Sequence, residues 1–129
     1  MTTTRVMWLA SLVTAINVVV ASGFSLAGII SPQSVLPPGY VATESSSLFA
    51  MYAAARTVPL ALLTLAAICI RATSALLILG TLAGVIRLLD AGIGLLQHDM
   101  GKSAGPLLIA AIQFSVMLLL KRNTQRPRG

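Results

Sequence analysis

The chain has 129 residues, of which 57% are hydrophobic and only 9% are charged, and its mean hydropathy is +0.92. This composition leaves too little polar surface for a soluble globular protein of this length, so we expect an integral membrane protein. The net charge is +6, but four of the nine basic residues lie in the last nine positions, where they are typical of an anchor to lipid headgroups and argue against a nucleic-acid partner.

The first apolar run covers residues 6–30, and its 25 residues exceed the roughly 20 that cross a bilayer. A cleavable signal peptide is the alternative, with residues 21–23 as the processing site. The length of the run and the presence of Asn17 favour a retained first span. Small and polar residues recur along it at steps of four and three: Ala10, Thr14, Asn17, Ala21, Ser25 and Gly28.

Residues 31–47 are rich in proline and serine and are predicted to form a loop outside the membrane. We expect a serine at position 45, 46 or 47 to cap the next helix, with Glu44 favourably placed at its positive end. The second span is predicted over residues 48–70. It contains Arg56, with Tyr52 one turn before it and Pro59 three residues after it.

A very short turn at residues 71–74 makes the second span and the third span, residues 74–96, an antiparallel hairpin. The third span contains Arg87 and, three residues later, Asp90. One of its faces presents Gly80, Gly84, Arg87, Ala91, Gly94 and His98. Small residues at this spacing allow close helix approach, so we expect this face to pack against the first span or to support a homodimer.

A polar loop is predicted over residues 97–105, followed by a fourth span over residues 104–120 with Pro106 in its first turn. Gln113 is the only strongly polar side chain inside this span. Residues 121–129 form a basic tail. The predicted fold is therefore all-α: a single transmembrane four-helix bundle over residues 1–129.

Four spans place both termini and the turn after the second span on one side. That side holds six of the nine basic residues: Arg5, Arg71, Lys121, Arg122, Arg126 and Arg128. The positive-inside rule therefore predicts cytoplasmic termini, in the plasma (bacterial inner) membrane.

Four spans also place polar side chains at matching depths in the outer half of the membrane. Ranked by the cost of burial, the predicted site comprises Arg87, Asp90 and Arg56, then Gln113, Asn17 and Tyr52, with Glu44, His98 and Asp99 at its rim. Neighbouring His98 and Asp99 do not make a metal site, and a lone cysteine, Cys69, excludes an intramolecular disulfide and is expected to be buried. We predict no metal and no cofactor.

Three interpretations of this site remain open. The charges could form an ion-pair clip between the second and third spans. They could instead line a pocket for a lipophilic or anionic ligand, because Asp90 can neutralise only one of two arginines. The third interpretation is a small membrane enzyme, a hydrolase or isomerase acting on a lipophilic substrate, with Asp90 as base and Arg87 or His98 polarising the substrate.

Arg56 with Pro59, and the series Gly84, Arg87, Asp90 and Gly94, resemble the small bacterial membrane proteins grouped as DoxX-like. The resemblance extends over the four helices and implies an accessory subunit of a membrane redox complex, hence a membrane protein partner. The resemblance assigns no redox residue to this chain, because the chain has no cysteine pair. The length is also similar to that of the small multidrug exporters, but their coupling acid in the first helix has no counterpart here, although Asp90 could in principle carry protons.

Overall fold

The computed structural model describes residues 2–126, which form five helices and no strand. The helices are α1 (Thr3–Ile30), α2 (Pro32–Val35), α3 (Glu44–Cys69), α4 (Thr73–Leu96) and α5 (Met100–Gln125). The prediction of an all-α fold is confirmed. Four of the helices, α1, α3, α4 and α5, are 24 to 28 residues long and apolar enough to cross a membrane.

Three-residue connections join α3 to α4 and α4 to α5, so these three helices alternate in direction. The start of α1 lies beside the α3–α4 turn, so α1 runs opposite to α3. Helix α1 lies between α3 and α5, and α4 packs mainly on α5. Near its start, α1 contributes Val6 to a notch with Arg122 at the end of α5. The start of α1, the α3–α4 turn and the end of α5 therefore share one end of the bundle.

Small side chains fill much of the interior of the bundle, Leu76, Met117 and Leu120 are buried at one end, and large apolar side chains cover the outside. The buried apolar residues include seven alanines: Ala10, Ala54, Ala61, Ala67, Ala83, Ala91 and Ala110. Large exposed residues occur on every long helix, for example Trp8, Phe24, Leu62, Leu89 and Leu108. This distribution is typical of helices that pack closely through small residues in a lipid environment.

The glycines of the small face of α4 pack against α5, whereas Arg87 on the same face contacts Asn17 of α1, so the expected pairing with α1 occurs at Arg87 and not at the glycines. An added methyl group at Gly80 would overlap the Met117 sulfur, and one at Gly84 would lie 2.9 Å from the Phe114 ring. At Gly94 it would lie 2.6 Å from the backbone of Lys102. The three glycines therefore take part in packing within the bundle, and Gly94 is the one that lies against backbone atoms of α5.

The connection between α1 and α3 is more ordered than predicted. It contains the short helix α2, and α3 begins at Glu44 rather than after the serines. Thr43 is the N-cap: its hydroxyl accepts from the Ser46 backbone N–H at 3.2 Å, while the Ser46 hydroxyl accepts from the Thr43 N–H at 2.8 Å. This reciprocal capping box, with Ser46 at its third position, replaces the expected serine cap.

Helices α3 and α4 end in the same way. The N–H of Ala72 donates to the Ala67 carbonyl, and the N–H of Asp99 donates to the Gly94 carbonyl, which is the Schellman pattern. The residues between these contacts, Arg71 and His98, have positive φ values of 53° and 55°. Arg71 and His98 therefore lie in exposed turns at the ends of the bundle.

Helix α5 is longer at both ends than the predicted fourth span. It begins at Met100, because the Asp99 carboxylate caps it by accepting from the Lys102 backbone N–H at 3.2 Å. Pro106 consequently lies inside the helix instead of in its first turn, and the expected tail is helical to Gln125. Arg128 lies outside the described residues. Cys69 is exposed, contrary to the expectation that it is buried.

Candidate functional site

Arg87 lies at the centre of the polar interior and is held by α1. Its Nε donates to Oδ1 of Asn17 at 2.7 Å, and its Nη2 donates to the Asn17 backbone carbonyl at 3.0 Å. Only 6% of Arg87 is exposed. Because two donors of the planar guanidinium contact a single residue, the position of this side chain is fixed relative to α1.

Gln113 extends this network to α5. Asn17 Nδ2 donates to Gln113 Oε1 at 3.1 Å, and Gln113 Nε2 donates to the hydroxyl of Thr14 at 2.8 Å. Gln113 and Thr14 are fully buried. Each buried side-chain amide is thus satisfied by a neighbour, and the chain of contacts joins α1, α4 and α5.

Asp90 interacts with Arg87 only weakly. Its Oδ2 lies 3.5 Å from Arg87 Nη1, both residues belong to α4, and the aspartate side chain is 42% exposed. The other salt bridge within residues 2–126 joins Lys102 to Asp99. No ion pair therefore links α3 to α4 in this part of the chain, and the geometry lacks the proposed clip between the second and third spans.

A cavity of about 230 Å³ between α1, α3 and α4 contains the charged residues, and we call it the Arg56 cavity. Its polar lining residues are Asn17, Ser25, Arg56, Thr57, Arg87 and Asp90. Alanine, valine, leucine and isoleucine side chains form the rest of the wall. Arg56 is exposed and borders the cavity from α3, and it contributes a positive charge that no salt bridge neutralises within residues 2–126.

A second cavity, of about 410 Å³, lies on the other side of Arg87 and Asp90, and we call it the Lys102 cavity. Lys102 and Gln97 line its polar end, and Phe24 and Ile109 line its apolar part. The Lys102 ammonium donates to the Val35 carbonyl at 3.1 Å, which ties α2 to α5. Arg87 and Asp90 line both cavities, so a ligand in either one would meet the same pair.

The structure thus brings Asn17, Arg56, Arg87 and Asp90 to one cavity, with Gln113 behind Asn17. Three other predicted members lie apart from both cavities: Tyr52, Glu44 and His98. Tyr52 is 55% exposed on the outside of α3, Glu44 is in the first turn of α3, and His98 occupies the turn after α4. Asp99 does not line either cavity. Its carboxylate Oδ2 lies 3.8 Å from the ammonium of Lys102, which lines the Lys102 cavity.

Sequence reasoning did not assign Thr14, Gln97 or Lys102 to the site. Thr14 lies one turn before Asn17 on the same small and polar face, and this spacing was the available signal. Lys102 is the only basic residue between the third span and residue 121, but its contact with Val35 depends on α2, which the loop-like sequence does not predict.

The chemistry that these groups support is the binding of an anion. Arg56 makes no salt bridge within residues 2–126, so its guanidinium donors are available to an anion, whereas the half-exposed Asp90 carboxylate can only accept from a donor. No cluster of three or more His, Cys, Asp or Glu side chains that could hold a metal ion occurs between residues 2 and 126. The chain matches no family model, no curated protein and no solved structure.

Proposed function

We propose that this protein is a multi-pass membrane protein that binds an anionic amphiphile in the Arg56 cavity. The observation that carries the proposal is the unneutralised charge of Arg56 in a cavity bordered by three helices that are apolar enough to span a membrane. Arg56 is an exposed residue of a helix apolar enough to span a membrane, and a cation at the apolar surface of such a helix is costly unless a partner or water compensates it. An anionic headgroup would supply that partner.

The balance of charge in the cavity supports an anion over a cation. Two arginines and one aspartate line it, and Arg87 and Asp90 already face each other at 3.5 Å. The net charge that a ligand would meet is therefore positive. Arg87 is fixed by Asn17, so Arg56 is the group that is free to form a bidentate contact with a carboxylate or phosphate.

The size of the cavity indicates which part of the ligand enters it. About 230 Å³ is smaller than the pockets of roughly 300 to 1,000 Å³ that enclose drug-sized molecules. A headgroup fits this volume, and a long hydrocarbon chain does not. We therefore propose that the headgroup enters between α1, α3 and α4 and that the chain stays in the surrounding lipid.

The charge distribution supports an orientation. Five basic residues of the described chain lie at the end of the bundle that contains the start of α1 and the end of α5: Arg5, Arg71, Lys121, Arg122 and Arg126. We propose that this end faces the cytoplasm of a bacterial inner membrane, in agreement with the positive-inside rule. The Arg56 and Lys102 cavities would then lie toward the external leaflet.

Replacing Arg56 by glutamine should weaken the binding of oleate about 30-fold, because it removes a charge-assisted contact worth about 2 kcal/mol. Oleyl alcohol, which has the same chain without the charge, should bind weakly to both proteins. Equilibrium binding of radiolabelled oleate to the detergent-purified chain measures the effect. Native mass spectrometry of the same preparations identifies any amphiphile that co-purifies.

Two variants serve as controls for this experiment. Arg71→Gln removes the same charge at the far end of the bundle and should leave oleate affinity within about two-fold of the wild type. Asp90→Asn removes the negative charge of the cavity and should leave oleate binding equal or tighter. Equal oleate affinity in the wild type and R56Q, or equal binding of oleate and oleyl alcohol, would refute the proposed function.

A further inference from the structure

The basic end of the bundle has no acidic partner of its own. The whole sequence contains three acidic residues, and these are Glu44 and Asp99 at the opposite end and Asp90 inside α4. Asp90 is 17 residues after the start of α4, which corresponds to roughly 25 Å of helix. No acidic side chain of the sequence therefore lies at the basic end.

A notch of about 180 Å³ lies at this end between α1 and α5. Val6 and Leu119 form its apolar side, and Arg122, Asn123 and Arg126 form its polar side. The two arginines are four residues apart, so they project from neighbouring turns on the same side of α5. The notch thus combines two guanidinium groups with an amide and an apolar wall.

Asn123 provides an observation that is independent of the arginines. Its side-chain Nδ2 is buried and has no hydrogen-bond acceptor within residues 2–126. An amide donor that is buried without a partner is destabilising, and native structures contain few of them. Basic residues in the last turn of a helix are explained by the helix dipole alone, but an unpaired amide beside them is not.

We propose that this notch binds a phosphate group, with Arg122 and Arg126 supplying the charge and with the Asn123 side chain rotating so that its now covered Nδ2 donates to the phosphate. The phosphate of an anionic phospholipid fits the position, because the notch lies at the end of a bundle whose helices are long enough to cross a membrane. Its acyl chains would run along the exposed side of Leu119. The volume equals roughly six water molecules and accommodates the headgroup alone.

This site is separate from the Arg56 cavity and does not depend on the function proposed for it. The test uses the full chain in mild detergent, with phosphatidylglycerol and phosphatidylcholine titrated separately and binding counted by native mass spectrometry. The double variant Arg122→Gln with Arg126→Gln should lose about 30-fold in phosphatidylglycerol affinity, at roughly five-fold per arginine. The matched double variant Arg5→Gln with Arg71→Gln changes the same charge at the same end and should lose less than about three-fold.

The variant Asn123→Leu separates a shaped site from general attraction to a basic surface, because it changes no charge. We expect it to lower phosphatidylglycerol affinity about five-fold while far-UV circular dichroism is unchanged. Displacement of the lipid by millimolar inorganic phosphate would support the site with free phosphate as its ligand, and resistance would support the lipid. An unchanged affinity in N123L, or equal losses in the two double variants, would overturn the proposal.

Discussion

Replacing Arg87 by methionine is expected to destabilise the folded bundle by about 3 kcal/mol, the largest effect that we expect from any side chain of the polar interior. Methionine keeps much of the side-chain volume but removes both donors to Asn17, which are 2.7 and 3.0 Å from their acceptors. The Asn17 acceptors would then be buried without these partners, and Asp90 would lose the one cation that it contacts within residues 2–126. The predicted loss is therefore one of helix association and not of helix formation.

Asp90→Asn should behave differently, although Asp90 belongs to the same pair. Its contact with Arg87 is 3.5 Å long and its side chain is 42% exposed, so the pair contributes at most about 1 kcal/mol. Arg87 would keep both contacts with Asn17. We therefore expect a large effect at one partner and a small effect at the other, which a simple ion-pair clip does not predict.

Unfolding in mixed micelles, with sodium dodecyl sulfate as the denaturant and near-UV circular dichroism as the signal, measures both variants. The double variant R87M with D90N should be more stable than the sum of the two single effects implies, because it leaves no unpaired carboxylate. Equal destabilisation by R87M and D90N would contradict the assignment of Arg87 to α1. A loss below about 1 kcal/mol in R87M would contradict it as well.

Much of the polar interior could be predicted from the sequence, because the rise of a helix converts residue number into depth. Arg56, Arg87 and Gln113 lie on three different spans, and the sequence placed them in the same half of the membrane. The structure brings Arg56 and Arg87 to one cavity and connects Gln113 to Arg87 through Asn17. Depth alone did not fix burial, because Arg87 and Gln113 are buried whereas Arg56 borders the cavity as an exposed residue.

Lateral position could not be predicted in the same way. A soluble helix reveals its buried face by a polar opposite face, but a helix that is apolar on all sides does not. Hydrophobic pattern alone could not decide whether the glycines of α4 meet α1 or α5, and they meet α5, while Arg87 on the same face contacts α1. For the same reason Tyr52, one turn from Arg56, was expected at the site but faces outward.

Local backbone interactions explain the remaining differences. His98 was assigned to the rim because it follows the outer end of the third span, yet its backbone has the left-handed conformation that ends α4. Thr43 and Asp99 each cap the helix that follows, which moves the starts of α3 and α5 ahead of their predicted positions. Capping contacts of this kind depend on the conformation of two or three residues, and hydrophobic length does not reveal them.

Replacing Gly94 by alanine is the second substitution for which we expect a large effect, a destabilisation of about 3 kcal/mol. The added methyl group would lie 2.6 Å from the Lys102 carbonyl carbon, 2.7 Å from its oxygen and 2.7 Å from the Ser103 nitrogen. These are backbone atoms in the first turn of α5, so no rotamer change relieves the overlap. Helix α5 would have to move away from α4, and the Lys102 contact with Val35 would be strained with it.

Gly92 provides a matched control two residues away on the same helix. A methyl group there would meet no atom within 4 Å, so G92A should be neutral or should stabilise the protein by up to about 1 kcal/mol through helix propensity. The same detergent titration compares the two variants with the wild type. If G94A were as stable as G92A, that result would contradict the close contact between α4 and the first turn of α5. It would also contradict the geometry of the Lys102 cavity, which Gly94 and Lys102 line. If only G94A is destabilised, Gly94 is the residue that sets the distance between the two helices.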